Sequence, residues 1–150
     1  MESPKISWHV SEQMEDGIYD YIQCKTYNQE GSVSPGNILT KTIQVWNNYG
    51  GNQSIADAKN CKLVISFKNF EDNMLLHLIK VRVDNGEEQA VDIDIDKGIV
   101  KLGDISGIAN NGSQYNSSNY ITINIIIGPI PNNIRNELKS MYFYLEYDPV

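Results

Sequence analysis

The sequence predicts an all-β chain, an antiparallel β-sandwich of immunoglobulin-like or jelly-roll type, with about nine strands and one short helix before the last strand. Three observations predict it. Apolar and polar residues alternate with a period of two, as in Ile121, Ile123, Ile125 and Ile127 against Thr122 and Asn124, the pattern of a strand with one buried and one wet face. Turn residues recur between such runs. Helical periodicity does not separate the strands, so a parallel βαβ arrangement has no support. A small barrel is the nearest competitor. The 150 residues make one domain spanning 1–150, long enough to hide roughly 68–70% of the unfolded surface without metal or disulfides.

The elements follow in order. Lys5 to Val10, Ile18 to Thr26 and Ile38 to Trp46 read as the first strands. Leu63, Ile65 and Phe67 alternate with Lys62, Ser66 and Lys68, and a further strand runs from Leu75 to Val83. Val91, Ile93 and Ile95 alternate with Asp92, Asp94 and Asp96, which predicts one buried and one solvated face there too. Gly98 to Leu102, Ile121 to Ile127 and Met141 to Tyr147 complete the set. Between them lie Ser34-Pro35-Gly36-Asn37, Asn47 to Asn52, Asp84-Asn85-Gly86 and Asn110 to Ser113. Asn85-Gly86 is a hairpin signal because both residues tolerate positive φ. Asn132 to Lys139 reads as a helix of two turns, with Asn132 or Asn133 as cap and Ile134 and Leu138 on one face. The stretch from Ser106 to Asn119, rich in Asn, Ser and Gly, is the longest loop and the expected place for mobility or binding.

Composition narrows the function. Twelve Lys and Arg against 19 Asp and Glu give a formal charge of −7, which argues against nucleic-acid binding and against docking on anionic lipid. The bias toward Ile and Asn, with two Arg, suits a low-GC bacterial genome or a phage of one. No run approaches the roughly 20 apolar residues of a membrane span, and Met1 to Trp8 lacks the basic and apolar regions of a secretory signal. The expectation is a soluble protein made in the bacterial cytoplasm that ends in a virion or extracellular particle. Cys24 and Cys61 show no metal or redox spacing. Two buried thiols, or a Cys24–Cys61 disulfide, remain open.

Ser34-Pro35-Gly36-Asn37 followed by Lys41-Thr42-Ile43-Gln44-Val45-Trp46-Asn47-Asn48-Tyr49-Gly50-Gly51 resembles a pattern of bacterial and phage immunoglobulin-like domains of the adhesion-related kind. There a Pro-Gly turn leads into a strand ending in Val-x-Asn, then Gly. The resemblance covers about a quarter of the chain. It implies a scaffold or binding module of the sort found on bacterial surface proteins and on phage tails and capsids.

Candidate chemistry is sparse. Asp92, Asp94 and Asp96 imitate a calcium loop, but the sixth position from Asp92 is Lys97 and the twelfth Gly103, where the loop needs Gly and Glu. On a strand these carboxylates lie about 6–7 Å apart along a solvated face, and charge there also discourages edge-to-edge association. His77 interrupts an apolar register and is expected at the margin of the core, one ring nitrogen bonded to backbone. No nucleophile elbow, zinc motif or phosphate loop is present, so neither a catalytic residue nor a cofactor or metal is expected.

The aromatic residues are the candidate interaction set. Tyr19, Tyr21 and Tyr27 fall opposite Ile18, Ile22 and Cys24, and Tyr142 and Tyr144 fall opposite Phe143 and Leu145. Five tyrosines are therefore expected to point outward, as interface residues do. Trp46 and Tyr49, beside the Asn-Gly loop, join them, for contact with protein or for stacking on sugar. The expected function is a non-enzymatic structural or accessory protein of a phage-like particle: capsid decoration, tail or baseplate. Its partners would be other virion proteins or further copies of itself. A carbohydrate- or receptor-binding module reading cell-surface glycan is the alternative, and a buried Trp46 would sink it.

Overall fold

A computed structural model describes residues 1–10, 27–28, 39–67, 70–111, 117–129 and 141–149. Ten strands appear among them: β1 (Ile6–Val10), β2 (Tyr27–Asn28), β3 (Leu39–Asn47), β4 (Ala58–Phe67), β5 (Ile79–Val83), β6 (Gln89–Ala90), β7 (Asp92–Asp94), β8 (Lys97–Ile105), β9 (Tyr120–Ile127) and β10 (Met141–Glu146). They form two antiparallel sheets, β1-β3-β9-β5-β6 and β2-β10-β4-β8-β7. The chain is a β-sandwich. β3, β4 and β5 alternate between the sheets, so the pairing partners of β4 are the distant β8 and β10.

The period of two in the sequence builds the core. β1 turns Ile6 and Trp8 inward, β3 Ile43 and Val45, β9 Ile121 to Ile127 at odd positions, and the second sheet answers with Leu63, Ile65, Val100, Phe143 and Leu145. Each such side chain contributes about 1.5–3 kcal/mol by leaving water. Cys61 lies in the same core as a free thiol, 1% exposed. Burial, with Asp104 and Asp148 nearby, pushes its pKa up to about 12, so the thiolate needed for reaction is suppressed. Cys24 lies outside the described residues.

The structure departs from the strand pattern in three places. Phe70–Leu78 is a 3-10 helix, and the strand begins only at Ile79. Leu75 and Leu76 are adjacent and both buried, which alternation across a strand does not allow and a helical turn does. His77, on that helix, is exposed rather than lodged at the core margin. The Asp92 region keeps only Val91 buried; Ile93 is 39% and Ile95 93% exposed, because the chain turns at Ile95 and Asp96 and pairs back on β8. In the Asp84-Asn85-Gly86 turn the positive φ falls on Asp84, at 51°, whose carboxylate accepts from the Thr122 amide at 3.0 Å.

The second sheet is covered on both faces near its centre. Val64, Ser66 and Tyr144 point away from the shared core yet are 0%, 5% and 4% exposed. The predicted strand from Ile18 to Thr26, the Ser34–Asn37 turn and the helix from Asn132 to Lys139 lie outside the described residues.

Candidate functional site

On the outer face of the first sheet two of the sequence-predicted aromatics, Trp46 and Tyr49, meet Tyr120 and His9. Register places Ser7, Trp46 and Tyr120 in one cross-strand row, His9, Gln44 and Thr122 in the next, and Thr42, Asn124 and Arg82 in a third. Trp46 stacks on Tyr120 with ring centroids 4.4 Å apart and planes at 21°, and meets Tyr49 edge-on at 4.8 Å. His9 lies 4.4 Å from Tyr49 and 6.0 Å from Trp46. Such contacts each add about 0.5–1.5 kcal/mol beyond area burial.

Neutral polar groups extend this patch along the sheet. The Trp46 indole N–H donates to Gln44 Oε1 at 3.1 Å, and the Gln44 amide donates to Thr122 Oγ1 at 3.4 Å. Thr42 Oγ1 donates to Asn124 Oδ1 at 2.5 Å. His9 Nε2 and Ser7 Oγ are 3.1 Å apart, and partial burial lowers the His9 pKa from 6.5, so the ring is neutral at pH 7. The face is therefore uncharged around its aromatic end.

Tyr49 owes its position to buried asparagines. Asn48 holds φ 62°, a conformation Asn tolerates better than most residues, and its amide donates to the carbonyls of Gln53 and Gly107, each at 2.8 Å. Asn110 Oδ1 accepts from the Gly50 amide at 3.0 Å while its Nδ2 donates to Asn48 O at 2.6 Å. Asn47 accepts from the Lys5 amide and donates to the carbonyls of Ala56 and Ile105. Asn119 donates to Asn47, Ser106 and Ile108 carbonyls, and its Oδ1 is buried with no hydrogen-bond partner among the described residues. These four side chains are 0–5% exposed. A Cβ at Gly51 would stand 2.0 Å from Asn48 Oδ1, so glycine is needed beside the fixed amide. The described parts of the Ser106–Asn119 loop are thus joined to their neighbours by side-chain hydrogen bonds.

Beside this loop lies a cleft of about 580 Å³ lined by Met1, Ile55, Ile108 and Pro149 with Asp57, Lys59 and Asp148. Its charged groups already have partners: Asp57 accepts from the Gly107 amide, Lys59 lies 4.0 Å from Asp104, and Asp148 accepts from Asn60. Among the described residues no three His, Cys, Asp or Glu side chains are grouped to hold a metal.

The predicted interaction residues separate accordingly. Tyr49 is 43% exposed and Trp46 only 1%. Trp46 lies under Tyr49 and beside Tyr120 and His9, so its ring offers no face to a sugar, the outcome that counts against a glycan site built from Trp46, Tyr49 and the Ser106–Asn119 loop. Tyr144 is 4% exposed, with Lys97 Nζ 5.9 Å from its ring centre; it belongs to a second buried layer rather than to an outward face. Tyr19 and Tyr21 lie outside the described residues, as do the side chains of Tyr27 and Tyr142. Sequence reasoning missed His9, Gln44 and Tyr120, although counting outward positions from Trp8, Val45 and Ile121 places all three on this face.

No family model matches the chain, and no curated protein matches it. Among solved structures it is similar to AvmM, described as catalysing macrocyclization in alchivemycin A biosynthesis, with 14% identity, 73% of this chain and 66% of that chain covered, and a TM-score of 0.34. Likeness at that level assigns this chain neither a family nor an activity.

Proposed function

We propose that this domain is a non-enzymatic structural or accessory module that works by protein–protein contact through the Tyr49 face of its first sheet. One observation carries the reading. Tyr49 is an exposed aromatic ring clamped between His9 and Trp46 on a loop anchored by buried amides, and rigid exposed tyrosine is the chemistry of interface hot spots. The surrounding Gln44, Thr122, Thr42 and Asn124 supply hydrogen bonds without charge, as interface centres do. The narrower form of the proposal is a capsid decoration, tail or baseplate component of a phage-like particle, joined to other virion proteins or to copies of itself. Its support is the sandwich architecture and the sequence resemblance.

Sedimentation of the purified protein across a concentration range, alone and with particles from its host, tests this. Association that weakens on Tyr49→Ala supports the proposal. A monomer at every concentration that also fails to co-sediment with particles overturns it.

A further inference from the structure

Strand β7 is the last strand of the second sheet and pairs only with β8 among the described residues. Among the described residues no strand pairs with its outer side, where an edge strand carries its free backbone donors and acceptors. Asp92 and Asp94 share one face of the strand and Ile93 the other. The strand runs into a turn at Ile95 and Asp96, where Ile95 holds φ 57° and is 93% exposed. A β-branched residue is an outlier at that angle, which two-residue turns reserve for glycine or asparagine. Ile93, 39% exposed, adds a second uncovered apolar side chain.

Charge on an edge strand discourages pairing, and here it stands beside two exposed isoleucines. Asp92, Asp94 and Asp96 are exposed, and the ion pairs of the described residues involve Glu2, Glu88 and Asp104 instead. The negative charge beside the isoleucines is thus available to a positive partner.

We propose that the β7 edge takes an extended protein segment, in which Lys or Arg alternates with apolar residues, as an added strand. Basic side chains of that segment face Asp92 and Asp94, and apolar ones cover Ile93 and, past the strand end, Ile95. Backbone pairing supplies affinity and the alternation supplies selection. This surface is separate from the Tyr49 face and stands whether or not that face has a partner.

The probe is a labelled synthetic peptide alternating lysine and leucine, followed by fluorescence anisotropy, with Lys-Ser and Glu-Leu peptides as comparisons. The Lys-Leu peptide is expected to bind at least about tenfold more tightly than either comparison. Ile93→Thr with Ile95→Gly should weaken it by about tenfold, and Asp92→Asn with Asp94→Asn should weaken it and flatten its salt dependence. Hydrogen exchange should show new protection at residues 92–94. Because Ile95→Gly relaxes the turn, that single variant should unfold at or above the wild-type temperature, which separates lost binding from lost folding. Absence of Lys-Leu binding, equal binding of the Lys-Ser peptide, unchanged affinity in the isoleucine variant, or protection elsewhere would overturn the proposal.

Discussion

The two ends of β8 treat polarity in opposite ways. Near Ile105 four asparagines are buried and joined to backbone carbonyls, while beyond Lys97 two isoleucines stand in water among aspartates. Both ends invert the usual partition of polar and apolar residues. The asparagine end bonds its buried amide N–H groups to backbone carbonyls, leaving Asn119 Oδ1 without a partner among the described residues, and gives Tyr49 its mount. The isoleucine end leaves apolar surface and strain uncompensated, the condition that a partner relieves.

Substitutions at the two ends should therefore act with opposite sign. Asn47→Ala strands the Lys5 amide and the Ala56 and Ile105 carbonyls, and should cost about 3 kcal/mol of stability in urea unfolding. A loss below ~1 kcal/mol would mean that water replaces the amide there. Gly51→Ala drives a Cβ into the Asn48 amide and should cost about 2 kcal/mol; it should also loosen Tyr49, readable as faster quenching of tyrosine and tryptophan fluorescence. Ile95→Gly should instead raise stability by about 0.5 kcal/mol, since relief of left-handed strain slightly exceeds the entropy lost by glycine. Destabilisation would show that Ile95 packs within the fold and is not held out for a partner.

The smallest effect is a pH dependence at the aromatic face. His9 has its folded pKa lowered below 6.5 by burial, so the unfolded chain takes up the proton first. The stability it supports is full above pH 6.5 and declines as pH falls through the lower folded value. His9→Gln should remove that part of the slope between pH 7 and 5, measured as the difference between the two unfolding profiles. Identical slopes would assign the dependence to other groups.

Much of the fold was legible because burial on one face writes itself into the sequence. In β9 the odd-numbered isoleucines are buried and the residues between them half-exposed, as alternation requires. β4 was harder: Leu63 to Phe67 are all buried, and the polar look of Ser66 hides a second covered face. Leu75 and Leu76 were misread because a short apolar run does not distinguish strand from helical turn. Ile95 was misread because an outward isoleucine breaks the rule by which strands are recognised. For the site, Tyr49 could be found from its loop, whereas the burial of Trp46 depends on Tyr120 and His9 arriving from strands far away in sequence. The asparagines were visible as loop composition, but their role as internal staples is set by carbonyls that only the folded chain brings near.

β8 also links the two surfaces. It runs from the Ile95 turn to the loop that holds the Tyr49 mount, and pairs with β4 from Lys97↔Ser66 to Ile105↔Ala58. Register shifts between Ala58 and Lys62 divide that ladder into a regular stretch toward the Ile95 turn and an irregular one toward the asparagines, so the strand pairing is least regular where the buried amides tie the loops together.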